Sequence, residues 1–286
     1  MDWLSSLNDA MAYIEENLAG EIDLAHAARL ACCSPYHLQR MFSYVAGVPL
    51  SEYIRRRRMT RAVFDLRSGE KVLDVALKYG YDSPTAFNRA FQGVHGAAPS
   101  AAKAEGVALK AYSPISFKMT IKGEAEMNYR IEKMDAFRIV GVKMTGESDE
   151  GFSQVPKFWA GTAQAGKIPQ ICSLMNAQPM GLLGVSTGDW PNAKDFDYYI
   201  AAASTSPTPE GMEEYTVPAA TWAVFECMGP MPGSIQELQK RIVTEWLPNS
   251  GYQYADAPDI EVYSEGDQSA ADYVCWVWLP IEKKED

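Results

Sequence analysis

The chain has 286 residues, 47% of them hydrophobic, and its 26 basic against 37 acidic side chains give a formal charge of −11. At about 100 to 200 residues per domain this is an ordinary soluble globular protein with material for two cores. No apolar run nears the ~18 residues of a membrane span, the acidic start is unlike a signal peptide, and five cysteines without a CxxC pair suggest neither a disulfide framework nor a zinc ribbon, so a cytoplasmic protein with reduced thiols and no membrane partner is expected.

Leu4, Leu7, Met11, Ile14 and Leu18 recur at spacings of three and four, which predicts an amphipathic N-terminal helix. Asp23 is placed to cap a short helix over Leu24 to Ala31; Ser34 then caps another, with Pro35 at its first position. At about 100° per residue, Leu38, Met41, Phe42 and Val45 of that second helix share one face, and Tyr36, Gln39, Arg40 and Ser43 lie opposite, free to touch something. LSEYIRRRRMTRAVFDLR reads as one long helix, Val72 to Tyr79 as a short one, Gly80 as a turn, and Ser83 with Pro84 as the next helix start. SPYHLQRMFSYVAG (34–47) and SPTAFNRAFQGVHG (83–96) are related throughout by a shift of 49, with Leu38 on Phe87, Arg40 on Arg89, Phe42 on Phe91 and Gly47 on Gly96. Core stripe and outward Arg recur in one phase, so helix, turn, helix occurs twice.

In such a unit the second helix enters the major groove and its N-terminal side chains meet base edges. That puts Tyr36, Gln39 and Arg40, then Thr85, Asn88 and Arg89, where Arg suits guanine and Gln or Asn suits adenine. The acidic total conceals a supporting feature. Residues 1–105 hold 12 basic and 12 acidic side chains, and the rest hold 14 and 25, so the whole excess is in the second part. Arg55, Arg56, Arg57, Arg58 and Arg61 cluster in the neutral part, fitting either phosphate contact or a solvated helix face.

The pattern A-x5-S-x2-HLQRMF-x4-G-x3-S-x-YIR-x3-MT-x-A followed by LDVALKYGYDSPTAFNRAF-x3-HG resembles the AraC/XylS DNA-binding domain, and within it the MarA, SoxS and Rob subgroup, over residues 5 to 103. The resemblance implies a tandem helix-turn-helix domain over 1–105 that binds double-stranded promoter DNA through Tyr36, Gln39 and Arg40 and through Thr85, Asn88 and Arg89; the flank and the arginine cluster add Ser43, Arg55 and Arg56 as DNA-binding candidates.

Residues 106–124 read as a connector in which Ile115, Phe117, Met119 and Ile121 alternate as a strand. Strands are predicted over 127–133, 137–145, 180–187, 196–204, 216–228, 259–263 and 272–279, with helices over 155–166 and 234–247. Ser234 and Glu237 suggest a capping box, with Ile235, Leu238, Ile242 and Trp246 as the core stripe. Strands and a helix recur in each half, predicting an α+β domain with internal pseudo-duplication over 125–286. Alternation puts Trp222, Val224 and Glu226 on one strand face and Trp276 and Trp278 on another; these either line an aromatic cleft with one carboxylate or belong to an ordinary core.

FDYYIA, TWAVFECMGP, EWLPNSGY, APDIEVY and DYVCWVWLPI resemble the GyrI-like effector-binding domain, which implies a small-molecule sensor of the multidrug-binding kind in a bacterial regulator. Trp159, Tyr199, Trp222, Glu226, Tyr263, Trp276 and Trp278 are the ligand-contacting candidates. Trp276 stands where members commonly carry the pocket Glu, leaving Glu226 as the substitute. The three histidines, His26, His37 and His95, all fall in the DNA-binding part, so no Ser-His-acid set forms in the second domain. Cys33 and His37 make a poor metal pair, and GLLGVSTG lacks the Lys of a phosphate loop. The reading is therefore multidomain: an all-α tandem helix-turn-helix plus an α+β domain in a non-enzymatic regulator without cofactor or metal. Its partners are promoter DNA, an aromatic or cationic effector and, through promoter occupancy, RNA polymerase. The alternative is a GyrI-like hydrolase tethered to DNA.

Overall fold

The computed structural model of the protein describes residues 3–104, 106–117, 126–147, 151–188 and 195–284. The chain divides into two compact units, Met1–Ala31 with Val48–Lys118 and Cys32–Gly47 with Met119–Asp286. These units differ from the expected 1–105 and 125–286 in one respect that matters. Residues 32–47, with the helix bearing Tyr36, Gln39 and Arg40, group with the second unit.

The first unit is helical: α1 (Trp3–Glu16), α2 (Leu24–Leu30), α4 (Leu50–Arg67), α5 (Val72–Lys78), α6 (Pro84–His95) and a 3-10 turn (Pro99–Lys103), with α3 (Pro35–Ala46) lying between α2 and α4 in sequence. The caps read from the sequence form. Asp23 accepts from the His26 amide, Ser34 from that of His37 and Ser83 from that of Ala86. Each long repeat helix ends on a left-handed glycine, Gly47 at φ 70° and Gly96 at φ 74°, a conformation only glycine adopts without strain. Leu66, Val75, Phe87 and Phe91 are centres of this unit's core, all fully buried. Beside it, Arg57 Nε and Nη2 each donate to Glu15 at 2.8 Å, and the Tyr53 hydroxyl donates to the same carboxylate at 2.7 Å.

The connector strand does not form in its described part, and Met119 and Ile121 lie outside the described residues. The physical reason is that its backbone groups are taken elsewhere. The Asn8 side chain accepts from the Phe117 amide at 2.8 Å and donates to its carbonyl at 3.0 Å, and the Ile115 amide donates to Tyr53 Oη. A ladder strand has no such groups to spare.

The second unit is an antiparallel sheet flanked by helices. Its strands are β1 (Tyr129–Met134), β2 (Phe137–Glu147), β3 (Leu182–Gly188), β4 (Asp195–Ala203), β5 (Glu213–Val217), β6 (Ala220–Met228), β7 (Tyr252–Tyr254), β8 (Asp259–Tyr263) and β9 (Val274–Lys283). Among the described residues the order is β1-β6-β9-β8-β3-β4-β2-β5, with β7 paired to one end of β9. Apart from a second short helix in the first half and β7 in the second, each half contributes strand, strand, helix, strand, strand, and the halves exchange their first strands: β1 pairs with β6 and β5 with β2. The single long strand predicted over 216–228 is two, because Pro218 has no amide hydrogen to continue the ladder past Val217.

Helix α7 (Gly151–Gln164) starts a turn earlier than predicted and carries Pro156 inside; α8 (Lys167–Ser173) and β7 were not predicted. Helix α9 (Gly233–Arg241) begins at Pro232, so the capping box at Ser234 does not form. It relaxes into a wider π turn over Ile242–Trp246 before Pro248 closes it. Ile235, Leu238 and Ile242 are buried as their spacing requires.

Candidate functional site

Helix α3 is amphipathic with both sides occupied. Leu38, Met41 and Phe42 are buried, as the periodicity demands, but so are Tyr36 at 8% and Gln39 at 4% exposure. This corrects the expectation of a free polar flank. Tyr36 stacks on Phe196 of β4 with ring centroids 6.2 Å apart, and its hydroxyl shares a short hydrogen bond with Ser186 of β3. His37 stacks on Tyr254 at 4.2 Å. Gln39 donates back to the Pro35 carbonyl, and Ser43 donates to the Gln39 carbonyl. The fit has no slack at Gly188, where an added Cβ would stand 2.7 Å from Tyr36 Cβ.

Arg40 is the charged centre of this contact. Its Nη1 donates to Tyr36 Oη at 2.8 Å, its Nε lies 3.4 Å from Asp259 and its Nη2 lies 3.6 Å from Glu261, while the guanidinium covers the Tyr44 ring. One guanidinium thus stands between two carboxylates, Asp259 buried and Glu261 half-buried, and offsets part of the cost of taking them out of water. His37 Nε2 is 3.7 Å from Asp259, too long for a hydrogen bond, and burial holds this ring below its usual titration range although the Asp259 charge works the other way.

Beside Arg40 the chain lines an open cavity of about 330 Å³. Its floor is Tyr198 of β4 with Glu261 and Tyr263 of β8; Trp159 of α7 and Gln239 of α9 form its sides, and α3 contributes Arg40, Ser43 and Tyr44. The volume falls in the range of drug-sized sites. Glu261 organises the polar part. Tyr198 and Tyr263 donate to its Oε2 at 3.2 and 2.8 Å, Gln239 donates to its Oε1 at 2.7 Å, and Trp159 Nε1 donates to Tyr198 Oη at 3.0 Å. Burial, and after it the Glu261 charge, pushes both phenols far above their ordinary range, so they remain protonated donors. Opposite Glu261 across the β3–β8 ladder is Gly184. A Cβ there would meet Tyr198 Oη at 2.2 Å, so the absence of a side chain makes room for the tyrosine–carboxylate pair.

Of the ligand-contacting candidates, the structure brings Trp159 and Tyr263 to this cavity, their rings 5.2 Å apart and edge to face. It does not bring the others. Trp222, Trp278 and Tyr199 are buried in the core on the opposite sheet face, Trp276 packs against that same core, and Tyr199 stacks on Tyr215. Glu226 is exposed and lies opposite Trp276 in the ladder. Alternation explains all of this, since residues paired across strands point the same way. The tryptophans are core, and Glu226 is on their side rather than the cavity's. Sequence reasoning missed Glu261, Asp259, Tyr198 and Gln239. In DIEVY the polar positions alternate with Ile260 and Val262, which reads as a solvent face until α3, α7 and α9 are known to cover it.

In the first unit the second repeat keeps its flank open. Thr85 and Arg89 are exposed and Asn88 is half-buried, over a core stripe of Phe87, Phe91 and Val94. The arginine run divides by role. Arg57 is buried on Glu15, Arg58 donates to the Leu18 and Gly20 carbonyls, and Arg55 and Arg56 both pair with Glu52 at 2.5 Å while remaining partly exposed.

Residues 127–282 match the sequence profile of the GyrI-like small molecule binding domain, and residues 27–105 that of a helix-turn-helix domain. The helical part is 38% identical over 97 residues to the HTH-type transcriptional activator AarP of Providencia stuartii, which covers 34% of this chain and 72% of that protein. It is 34% identical over 87 residues to the regulatory protein SoxS of Escherichia coli strain K12, covering 30% of this chain and 81% of SoxS. Among solved structures, that of SAV2435 bound to tetraphenylphosphonium aligns with 55% of this chain and 94% of its own, at a TM-score of 0.50 and 23% identity, a likeness of fold.

Proposed function

Because the chain belongs to the AraC/XylS family of DNA-binding transcriptional regulators in its helical part and to the GyrI-like small-molecule-binding family over residues 127–282, we propose that its cavity receives an aromatic effector carrying a positive charge. The observation that carries this reading is the half-buried Glu261 carboxylate, held by two phenols and one amide at the floor of an aromatic-walled cavity. A carboxylate in a site of low local dielectric attracts a cation more strongly than one in water. Trp159 and Tyr263 offer ring faces and edges to an aromatic body. Glu261 therefore takes the part that the sequence reading gave to Glu226.

On the DNA side, Thr85, Asn88 and Arg89 of α6 are the base-reading group, with Tyr36, Gln39 and Arg40 as its counterpart in α3 and Arg55 and Arg56 as phosphate contacts. The effector changes promoter occupancy by binding two arrangements of the chain with different affinity. The relatives being transcriptional regulators favours sensing over turnover.

The test is a thermal-shift titration of the full chain with tetraphenylphosphonium and with neutral triphenylphosphine oxide. Ligand at 100 times its dissociation constant adds about 2.7 kcal/mol of stability. A shift with the cation that is lost in Glu261→Gln, and is smaller with the neutral compound, supports the reading. Equal shifts for both compounds in both proteins, or none at all, would overturn it.

A further inference from the structure

Two sets of side chains that the proposed function assigns to different partners are joined in this structure. Tyr36, Gln39 and Arg40 are the α3 base readers; the first two are buried in the second unit, and Arg40 is half-buried there on Asp259. Arg40 spans Asp259 and Glu261, and Glu261 is the effector carboxylate. The duplicated helix α6 serves as an internal control: same cap, same core phase, same left-handed glycine, yet its Arg89 is exposed. What distinguishes α3 is therefore its neighbours.

We propose that the sheet holds α3 as an internal occupant of the effector site, withholding the first base-reading helix from DNA until a cationic effector takes the place of Arg40 at Glu261. This rests on the reading of the cavity given above. The physics gives the coupling its sign. If Arg40 leaves for a guanine edge with nothing in its place, Asp259 and Glu261 remain as two poorly solvated like charges without a counter-charge, which is costly. A cation in the cavity neutralises Glu261 and lowers that cost; a neutral molecule of the same shape does not. Effector and DNA thus favour the same released state, and each raises affinity for the other by the same factor. A ligand equally at home in both states would shift nothing.

The test uses the full chain and a wedge on β3 that replaces neither a carboxylate nor a base reader. Gly188→Ala puts a Cβ 2.7 Å from Tyr36 Cβ, so α3 must move away. Asp259→Asn serves as an independent second variant. Each protein, without ligand, is used to enrich duplexes from a random pool, and affinity for the enriched duplex is measured at fixed salt. The expected result is that wild type enriches one major-groove segment, whereas both variants enrich two and bind their duplex on the order of tenfold tighter, about 1.4 kcal/mol. Tetraphenylphosphonium should move wild type toward the variants and leave Gly188→Ala unchanged. Identical enriched segments and affinities in all three proteins would overturn the withholding of α3, even if the compound binds. Failure of the compound to bind, with the variants still gaining the second segment, would overturn the cavity reading and leave α3 withheld by the sheet alone.

Discussion

Arg40 Nη2 stands 3.6 Å from Glu261 Oε1, although the two side chains are only 17% and 13% exposed and the helix carrying Arg40 precedes β8 by more than two hundred residues in sequence. A charge pair this deep is stable as a pair and poorly stable as either half. Arg40→Met alone should lower the stability of the unit by about 3 kcal/mol, and Arg40→Met with Glu261→Gln by clearly less than the sum of the two single losses. Urea unfolding of the four proteins checks this; strict additivity would mean that the carboxylates gain little from the guanidinium.

Gly184 is the steric counterpart of that pair. In Gly184→Ala the new Cβ falls 2.2 Å from Tyr198 Oη and 3.1 Å from Glu261 Oε2. Overpacking of this kind costs about 1–3 kcal/mol. The larger effect is expected on ligand, because Tyr198 must swing off Glu261 and into the cavity. Tetraphenylphosphonium affinity should drop more than the melting temperature suggests, read by titration of wild type and variant at one temperature.

The exposed reader and the arginine rod separate by salt. Arg89→Ala should cost about 1–3 kcal/mol and relax preference at one base, whereas Arg56→Ala should weaken all sequences alike and reduce the salt slope by about one. Because Arg56 is shared with Glu52, Glu52→Gln should strengthen non-specific binding at low salt. Binding isotherms on enriched and random duplexes at three salt concentrations decide each part.

Acid should loosen the protein through its histidines before its carboxylates. Burial holds both His37 and His95 below the ordinary value of about 6.5, partly opposed by Asp259 for the first and by the Met59 carbonyl for the second. The unfolded chain then binds more protons than the folded one as pH falls below about 6.5, so stability present above that pH is lost as pH drops through the folded values. Glu15 follows at lower pH. Although its burial acts the other way, Arg57 and Tyr53 lower its titration, and their contribution, present above about 4.3, disappears as that carboxylate protonates. Denaturant midpoints from pH 7.5 to 3.5 should fall in two stages, and His95→Gln should flatten the first without touching the second.

The helical half was largely legible in the sequence because its determinants are local. Asp23, Ser34 and Ser83 cap where their side chains can only reach the next turn, the rod runs over the expected eighteen residues, and the repeat carries its own phase check. The sheet half was legible in its strands and not in its faces. Alternation tells which residues share a side but not which side is covered, so Trp222 and Trp278 were offered to a ligand and Glu261 was passed over. The burial of α3 lies beyond any local reading. Nothing in SPYHLQRMF differs in kind from SPTAFNRAF, and only the acidic pair on β8, far along the chain, decides that one Arg is covered and the other is not.

Strand β9 lies in the interior of the sheet between β6 and β8, although it is the last strand in chain order. On the ribosome, where folding proceeds from the amino end, β6 and β8 emerge before the strand that must run between them, and no ladder links them in the meantime. The duplicated helices, whose contacts are near in sequence, can mature during that interval. A freshly made chain should accordingly pass through a brief stage with α3 not yet seated on a finished sheet.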